Sequence, residues 1–240
     1  NEEDGEAWMY GRGAGDMKSG IAAMVYAVKA VETAGFGLKA PVILETVIEE
    51  ECSGNGTLAC LEAGYDADAV LIPEPFGMTI MRSELGVLWF KVSLSGIPSH
   101  VRDTRAGVNA IEKCFPLIAA LRDLEKEMNA SLHPAYRDAV HPINFNVGII
   151  KGGDWPSTVA AAAEFHCRLS YFPGQTYEET CNRIIDVISK AASGDPWLSE
   201  NPPEVEFYGL RGEGHSIDAD PPLFQTLANC HRDLTGNQIE

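Results

Sequence analysis

The chain has 240 residues, of which 45% are apolar and 22% are charged, so it can fold around a sizeable core. Its 18 basic and 35 acidic residues give a net charge of −17, which excludes a general affinity for nucleic acid or for an anionic membrane surface. No apolar run approaches the roughly 20 residues that a membrane-spanning helix needs.

The first 83 residues alternate the patterns of helix and strand. Apolar residues at helical spacing predict a helix from Met17 to about Thr33 and a shorter helix over 57–64. Apolar runs at 41–48 and 69–75 predict two buried strands. This alternation predicts a mostly parallel sheet with helices on its faces.

A different pattern, β-α-β-β-α-β, follows in the middle of the chain. The predicted strands are 86–96, 143–150, 162–172 and 204–209, and the predicted helices are about 109–128 and 176–192. This order is typical of a small ferredoxin-like α+β unit with helices on one face of its sheet. We therefore predict an α/β domain at 1–83 that is interrupted by an inserted α+β domain at 84–209 and resumes at 210–240.

The six cysteines form no C-x-x-C pair, which argues against a zinc ribbon and a thioredoxin-type site. In a chain of this length we predict small buried thiols rather than a disulfide framework, and hence a reducing compartment, the cytoplasm. They are Cys52, Cys60, Cys114, Cys167, Cys181 and Cys230.

The glycine-rich segment at 11–16 is close to two phosphate-binding motifs but matches neither of them. Asp16 stands where G-x-G-x-x-G requires its third glycine, and Met17 rather than glycine precedes Lys18. A carboxylate in this loop would also repel phosphate. Two interpretations of Asp16 stay open, a helix N-cap and a metal ligand.

Acidic residues also follow both predicted strands of the first part. Glu49, Glu50 and Glu51 come directly after residues 41–48, and Glu74 lies between two prolines at the end of the next strand. Ligands gather at the carboxyl ends of parallel strands, and clustered carboxylates stay ionised only beside cations. The pattern favours a metal site, with a solvated acidic loop as the alternative.

Two basic side chains stand out in the middle of the chain. His100 ends the segment after the first strand of the inserted domain, where a lone histidine is more often structural or merely exposed. Arg168 shares the polar face of its strand with Glu164, His166 and Ser170, so an ordinary surface ion pair is the alternative to a ligand contact.

Five segments, taken in order, resemble the co-catalytic zinc exopeptidase and deacylase family. They are YGRGAGDMKSG at 10–20, EEECSGNG at 49–56, PEP at 73–75, SH at 99–100 and GVNAI at 107–111. Members of that family include acetylornithine deacetylase, succinyl-diaminopimelate desuccinylase, aminoacylase and glutamate carboxypeptidase. The resemblance implies an α/β catalytic domain interrupted by an α+β lid through which two copies form a homodimer. It also implies two divalent metal ions, zinc with cobalt or manganese as alternatives.

The resemblance assigns the acids to a metal centre. Asp16 would bridge the two ions, Glu51 would ligate one and Glu74 the other, and Glu50 would be the general base on the metal-bound water. The two adjacent acids can serve one centre only where the strand breaks into a turn, which Ser53–Gly54 would supply. A shift of one residue would make Glu49 the base.

The resemblance assigns the two basic residues to the substrate. His100 would stabilise the oxyanion of the tetrahedral intermediate, in the active site of the dimer partner, and Arg168 would bind the substrate's carboxylate. The implied reaction is metal-dependent cleavage of an amide bond in N-acyl amino acids or small peptides, closest to the acetylornithine deacetylase branch.

The family also has two metal-binding histidines, one before the glycine-rich loop and one near the C-terminal end, and neither has a match here. We therefore expect the chain to be a fragment that lacks both ends and is inactive by itself. Two other hypotheses stay open, a catalytically inactive relative that retains a dimerisation lid and a phosphate-binding or nucleotide-binding α/β protein.

Overall fold

The computed structural model describes residues 2–3, 5–77, 79–217 and 220–239. It divides into two compact units, the first made of 1–50, 54–81 and 219–240 and the second of 51–53 and 82–218. The first unit is therefore built from separate stretches of the chain, and the second interrupts it.

The described residues form eight strands and six α-helices. The strands are β1 Glu2–Glu3, β2 Glu6–Ala7, β3 Ser83–Glu84, β4 Gly86–Ser95, β5 Phe145–Gly152, β6 Ala162–Tyr171, β7 Glu204–Gly212 and β8 His215–Ser216. The helices are α1 Ser19–Thr33, α2 Asn55–Glu62, α3 Ala110–Asn129, α4 Tyr177–Ser193, α5 Pro196–Glu200 and α6 Pro222–Thr235.

The second unit is built on a four-stranded antiparallel sheet with the strand order β5-β6-β4-β7. Helices α3 and α4 pack on each other, with α3 against β4, β5 and β6 and α4 against β7. The predicted β-α-β-β-α-β order, the ferredoxin-like arrangement and the mixed α/β class are confirmed.

The core of this unit follows from strict alternation along the two central strands. Leu88, Phe90 and Val92 of β4 and Phe165 and Leu169 of β6 are fully buried, while the alternating positions Trp89, Lys91, His166 and Arg168 are not. Period-two alternation puts all of these apolar side chains on the face that the helices cover. Each such side chain contributes about 1.5–3 kcal/mol when it is fully buried.

Local capping sets the starts of the two helices. The Asn109 side chain accepts a hydrogen bond from Ile111 N at 3.0 Å at the start of α3. At α4, Thr176 Oγ1 accepts from Glu179 N at 3.1 Å, and the Glu179 carboxylate accepts from Thr176 N at 2.9 Å. This reciprocal pair is a capping box, which satisfies two helix-end N–H groups at once.

A short antiparallel ladder joins the two ends of the second unit. β3 pairs with β8, with Ser83 opposite Ser216 and Glu84 opposite His215. Ser83 Oγ also donates a hydrogen bond to the backbone oxygen of His215 at 3.0 Å. The segments that precede β4 and follow β7 therefore lie side by side.

The first unit differs from the sequence prediction in its strands. Helix α1 and helix α2 lie where helices are predicted, but 41–48 and 69–75 form no ladder with any described residue. Val42 and Val70, taken as buried, are 52% and 70% exposed. An apolar run indicates a strand only when another strand pairs with it, and the sequence of the run carries no information about that partner.

The cysteines divide between the units. Cys114, Cys167 and Cys181 of the second unit are buried free thiols, as predicted, and burial raises the pKa of Cys114 to about 11. The prediction is wrong for the first unit and the turn beside it, because Cys52 and Cys230 are exposed and Cys60 is half-buried. Among the described residues, no helix has both the length and the apolar character to cross a membrane.

Candidate functional site

Asp16 lies in a tight turn, Ala14–Lys18, that leads into α1. Gly13 begins this turn at a φ of 69°, and its backbone oxygen accepts a hydrogen bond from Lys18 N at 2.9 Å. The N-cap residue of α1 is Lys18, with no capping side chain, so the interpretation of Asp16 as the N-cap is wrong. Its carboxylate is exposed and is available to a ligand.

The segment that carries Glu74 packs against the start of α1. Gly20 is buried, and a Cβ at this position would overlap the backbone oxygen of Pro73. Only glycine permits so close an approach. Glu74 itself is half-buried. Its backbone N–H donates to Ile72 O at 3.0 Å, and its backbone oxygen accepts from Phe76 N at 2.9 Å. The turn that carries Asp16 and the segment that carries Glu74 therefore approach each other through Gly20 and Pro73.

The acidic triplet leaves the extended conformation at Glu49, which has a φ of 60°. Gly54 N donates to Glu49 O at 2.8 Å, and Asn55 Nδ2 donates to Glu49 Oε2 at 3.4 Å. Residues 50–53 form a turn, and α2 follows at once. The turn begins at Glu50, before the predicted break at Ser53–Gly54, so Glu50 and Glu51 are not held on opposite faces as on a strand.

The donor types of the predicted metal ligands fit a divalent cation, since carboxylate oxygens are suitable ligands for such ions. Within the described ranges, however, no group of three or more His, Cys, Asp and Glu side chains is close enough to hold one. Catalytic zinc sites usually have three protein ligands, with nitrogen among them. The described acids therefore do not make a zinc site by themselves, and the ligand roles of Asp16, Glu51 and Glu74 stay predictions.

His100 is exposed on the second unit, where its backbone bridges to Thr158. Its Nδ1 accepts a hydrogen bond from Arg102 N at 3.2 Å and so caps the short 3₁₀ helix Val101–Ala106. In the neutral ring the proton must then be on Nε2, because a nitrogen that accepts a hydrogen bond carries none. Nε2–H is thus an available donor.

Arg168 lies on the open face of the four-stranded sheet, the face opposite α3 and α4. It is opposite Asn146 of β5 and Trp89 of β4, and Trp89 is in turn opposite Tyr208 of β7. One residue from each strand thus forms a row across the sheet, Asn146–Arg168–Trp89–Tyr208, which we call the cross-strand row.

The other basic side chains of this face are paired, whereas Arg168 is not. Lys91 Nζ lies 2.5 Å from Glu206 Oε2, and Lys151 Nζ lies 3.2 Å from Glu164 Oε1. Hydrogen bonds from His166 and from Lys151 lower the pKa of the Glu164 carboxyl. Arg168 is exposed and makes no ion pair, hydrogen bond or ring contact with any side chain that the structure describes. The surface-ion-pair alternative is therefore wrong for Arg168.

The sequence prediction missed the aromatic part of this face. Trp89 and Tyr208 contact each other edge to face at 6.3 Å between ring centroids, and His166 Nδ1 lies 2.7 Å from the Tyr208 hydroxyl. The alternation of residues 204–209 indicated a strand, but only strand register shows that Tyr208 reaches the row of Arg168. His215 Nδ1 lies 3.9 Å from Glu84 Oε2 across the β3–β8 pair.

The comparisons with known proteins identify the second unit. Residues 82–196 match the peptidase dimerisation domain of the M20 family. The second unit therefore carries a dimerisation domain of the M20 type. The family resemblance seen in the sequence is thereby confirmed, together with the dimerisation domain that it implies.

Curated relatives in this family are hydrolases of amide bonds. The chain is 29% identical over 250 residues to N-formyl-4-amino-5-aminomethyl-2-methylpyrimidine deformylase of Halalkalibacterium halodurans, covering 96% of this chain and 58% of the relative. It is 28% identical to acetylornithine deacetylase of Salmonella arizonae, covering 78% and 49%.

A solved tripeptidase from Staphylococcus aureus has the same fold. Its TM-score is 0.63 at 19% identity, with 95% of this chain and 57% of the tripeptidase covered. This chain spans about half the length of the curated relatives that it matches.

Proposed function

We propose that this chain belongs to a metal-dependent hydrolase that cleaves the amide bond of N-acyl amino acids or small peptides. The observation that carries the proposal is Arg168, an exposed cation that has no side-chain partner among the described residues and lies on the open face of an M20 dimerisation domain. A guanidinium in this state suits a carboxylate, which it can bind through two parallel hydrogen bonds. N-acyl amino acids and peptides carry that carboxylate.

The relatives suggest that the acyl group is small. One is named as a deformylase and another as a deacetylase, so the groups in their names have one and two carbon atoms. The two names differ in the leaving amine, an aminomethylpyrimidine in one and ornithine in the other. Only ornithine carries a carboxylate, so the role of Arg168 separates the two substrate classes.

Glu50 is the proposed general base. A general base must be able to reach the attacking water, and Glu50 is exposed at the first position of the turn after residues 41–48. The Glu49 carboxylate accepts a hydrogen bond from Asn55 Nδ2, which gives it a local structural role. Glu50 would take a proton from the attacking water and return it to the leaving amine.

Asp16, Glu51 and Glu74 are the proposed ligands of the metal centre. Two divalent ions held there, zinc with cobalt or manganese as alternatives, would polarise the carbonyl of the scissile amide and acidify the attacking water. Further ligands must complete the centre, because three carboxylates are too few for two ions.

His100 is the proposed stabiliser of the oxyanion. Its Nε2–H can donate to the negative oxygen of the tetrahedral intermediate without any change of protonation, because Arg102 N already holds the ring in this tautomer. We propose that it acts in the active site of a second copy, as the family resemblance implies.

Replacing Arg168 with lysine is expected to raise KM for substrates with a free α-carboxylate much more than for the matching amides. Lysine keeps the charge but loses the two-pronged geometry of the guanidinium. Steady-state kinetics on each acid and its amide measure the difference. Equal effects on both would show that Arg168 does not contact the carboxylate and would favour the deformylase-like substrate class.

We propose that the second unit forms a homodimer through α3 and the neighbouring edge strand β5. Phe115 of α3 is 57% exposed, and Ile149 and Ile150 of β5 are 46% and 50% exposed. Strand β5 is at the edge of its sheet, so one side of its backbone has no strand partner among the described residues. Exposed apolar side chains beside a free strand edge favour association with a second copy.

The double substitution Phe115→Glu and Ile150→Glu is expected to convert the dimer into a monomer, because both charges would be buried in the interface. Light scattering over a range of protein concentrations gives the mass. Val140, which is 98% exposed in a loop, provides the matched control Val140→Glu, and this variant should stay dimeric. A wild-type chain that is monomeric at high concentration would remove the proposal and weaken the role of His100 in a partner's site.

A further inference from the structure

The cross-strand row combines an unpaired cation with two aromatic rings at fixed spacing. Neighbouring strands of a sheet are about 4.8 Å apart, so the Trp89 position is roughly 5 Å from Arg168 and the Tyr208 position roughly 10 Å. On this face, Trp89 is the aromatic neighbour of Arg168 on the next strand. A ligand whose carboxylate is on Arg168 would therefore place its next few atoms over the Trp89 ring.

The Tyr208 ring is held in place by a chain of hydrogen bonds. Glu164 is an acceptor only when ionised, so His166 Nε2 donates to Glu164 Oε1 at 3.3 Å. The other ring nitrogen, Nδ1, forms a hydrogen bond with the Tyr208 hydroxyl at 2.7 Å. Burial raises the pKa of Tyr208, which keeps this hydroxyl protonated. Lys151 binds the same oxygen of Glu164 at 3.2 Å and completes the chain.

The position of the Trp89 ring depends on a missing side chain. Gly209 follows Tyr208 at an irregularity of the β4–β7 ladder and has a φ of 67°. A Cβ at Gly209 would lie 2.6 Å from the Trp89 ring. The glycine therefore lets the indole approach the backbone of β7 closely, next to the Tyr208 ring. Both rings are set before any ligand arrives, which lowers the entropic cost of binding.

We infer that the cross-strand row binds a carboxylate that carries a planar aromatic or other flat apolar group, with the carboxylate on Arg168 and the flat group on Trp89 against Tyr208. This inference rests on the proposed role of Arg168 and adds a substrate class to it, acyl amino acids or peptides with an aromatic side chain near the carboxylate. Asn146, on the other side of Arg168, would donate a further hydrogen bond to the carboxylate.

The experiment measures binding alone, with 3-phenylpropionate as the probe. Its ring and carboxylate are separated by two carbon atoms, which matches the strand spacing. Indole N–H signals in two-dimensional NMR report the site, and Trp89→Phe assigns the Trp89 signal. The Trp197 indole, which donates to Ser95 O at 2.9 Å, serves as an internal control for folding.

The Trp89 signal is expected to shift saturably with 3-phenylpropionate, while the Trp197 signal stays in place. Arg168→Gln should weaken binding about tenfold or more, because a charge-assisted pair is lost. Lys91→Gln removes the same charge from the same face at a residue that is already paired with Glu206, and its effect should stay below about twofold, as expected for a screened surface charge. Propionate and 3-phenylpropionamide should each bind at least tenfold more weakly than the probe.

Three results would overturn the inference, and they separate its two parts. Equal binding of propionate and 3-phenylpropionate would remove the aromatic part and leave Arg168 as a carboxylate site. Equal binding of the amide and the acid would remove the proposed role of Arg168 itself. Equal losses in Arg168→Gln and Lys91→Gln would mean that the face attracts anions only through its overall positive charge. Because turnover is not measured, a failed hydrolase assay would leave these outcomes intact.

Discussion

Glu50→Gln is expected to abolish turnover while metal content is retained, in a form of the protein long enough to carry both predicted histidine ligands. The carboxamide has nearly the shape of the carboxylate but cannot accept a proton from the attacking water. Loss of a general base lowers the rate by about 10²–10⁴. Steady-state kinetics and elemental analysis of the same preparation measure the two quantities together.

Glu49→Gln is the matched control, one residue away in the same turn. Its carboxylate accepts from Asn55 Nδ2, and glutamine can still accept through its amide oxygen, so kcat should change little. A dead Glu49→Gln variant beside an active, metal-loaded Glu50→Gln variant would show that the assignment is displaced by one residue. A wild-type kcat in both variants would show that neither Glu49 nor Glu50 transfers the proton.

The 240-residue chain by itself is expected to hold zinc weakly and to hydrolyse no N-acyl amino acid at a detectable rate. Asp16, Glu51 and Glu74 offer carboxylate oxygen alone, and no described histidine completes a three-ligand group with them. All-carboxylate sites favour harder ions such as magnesium, calcium or manganese over zinc. Equilibrium dialysis against each metal, followed by elemental analysis, gives the stoichiometry.

An Asp16→Asn variant tests whether the weakly held metal is at the proposed place. It should lose what binding remains, whereas Asp68→Asn, in a loop of the same unit, should not. Two tightly held zinc ions per wild-type chain would contradict the prediction. Other residues, with His215 and His231 the first to replace, would then complete the centre.

The fold of the second unit could be predicted because its signals are local. The alternation in β6 and the capping box at Thr176 each specify their element within about ten residues of sequence. The apolar faces of these strands and helices must be buried against each other, which limits the number of possible arrangements. Similar local patterns at 41–48 and 69–75 led to a wrong prediction of two strands, because an extended apolar run becomes a strand only through a partner elsewhere in the chain.

The candidate site was predictable in its residue types but not in its contacts. The exposed positions of Asp16 and Glu50 agree with a ligand-facing role, but the N-cap interpretation of Asp16 is wrong because Lys18 is the N-cap residue of α1. The sequence placed Arg168 on a polar face but could not show which cation of that face is unpaired. That distinction depends on register between β4, β6 and β7, which strand patterns alone leave undetermined.

The β3–β8 ladder has a consequence for how such a protein can be assembled. Ser83 and Ser216 face each other across two antiparallel strands, so the chain enters and leaves the second unit at points only about 5 Å apart. Because the two ends of the inserted stretch are adjacent, a short turn could join the flanking residues in its place. We therefore expect that residues 83–216 can be exchanged as one piece with little change at the two joining points.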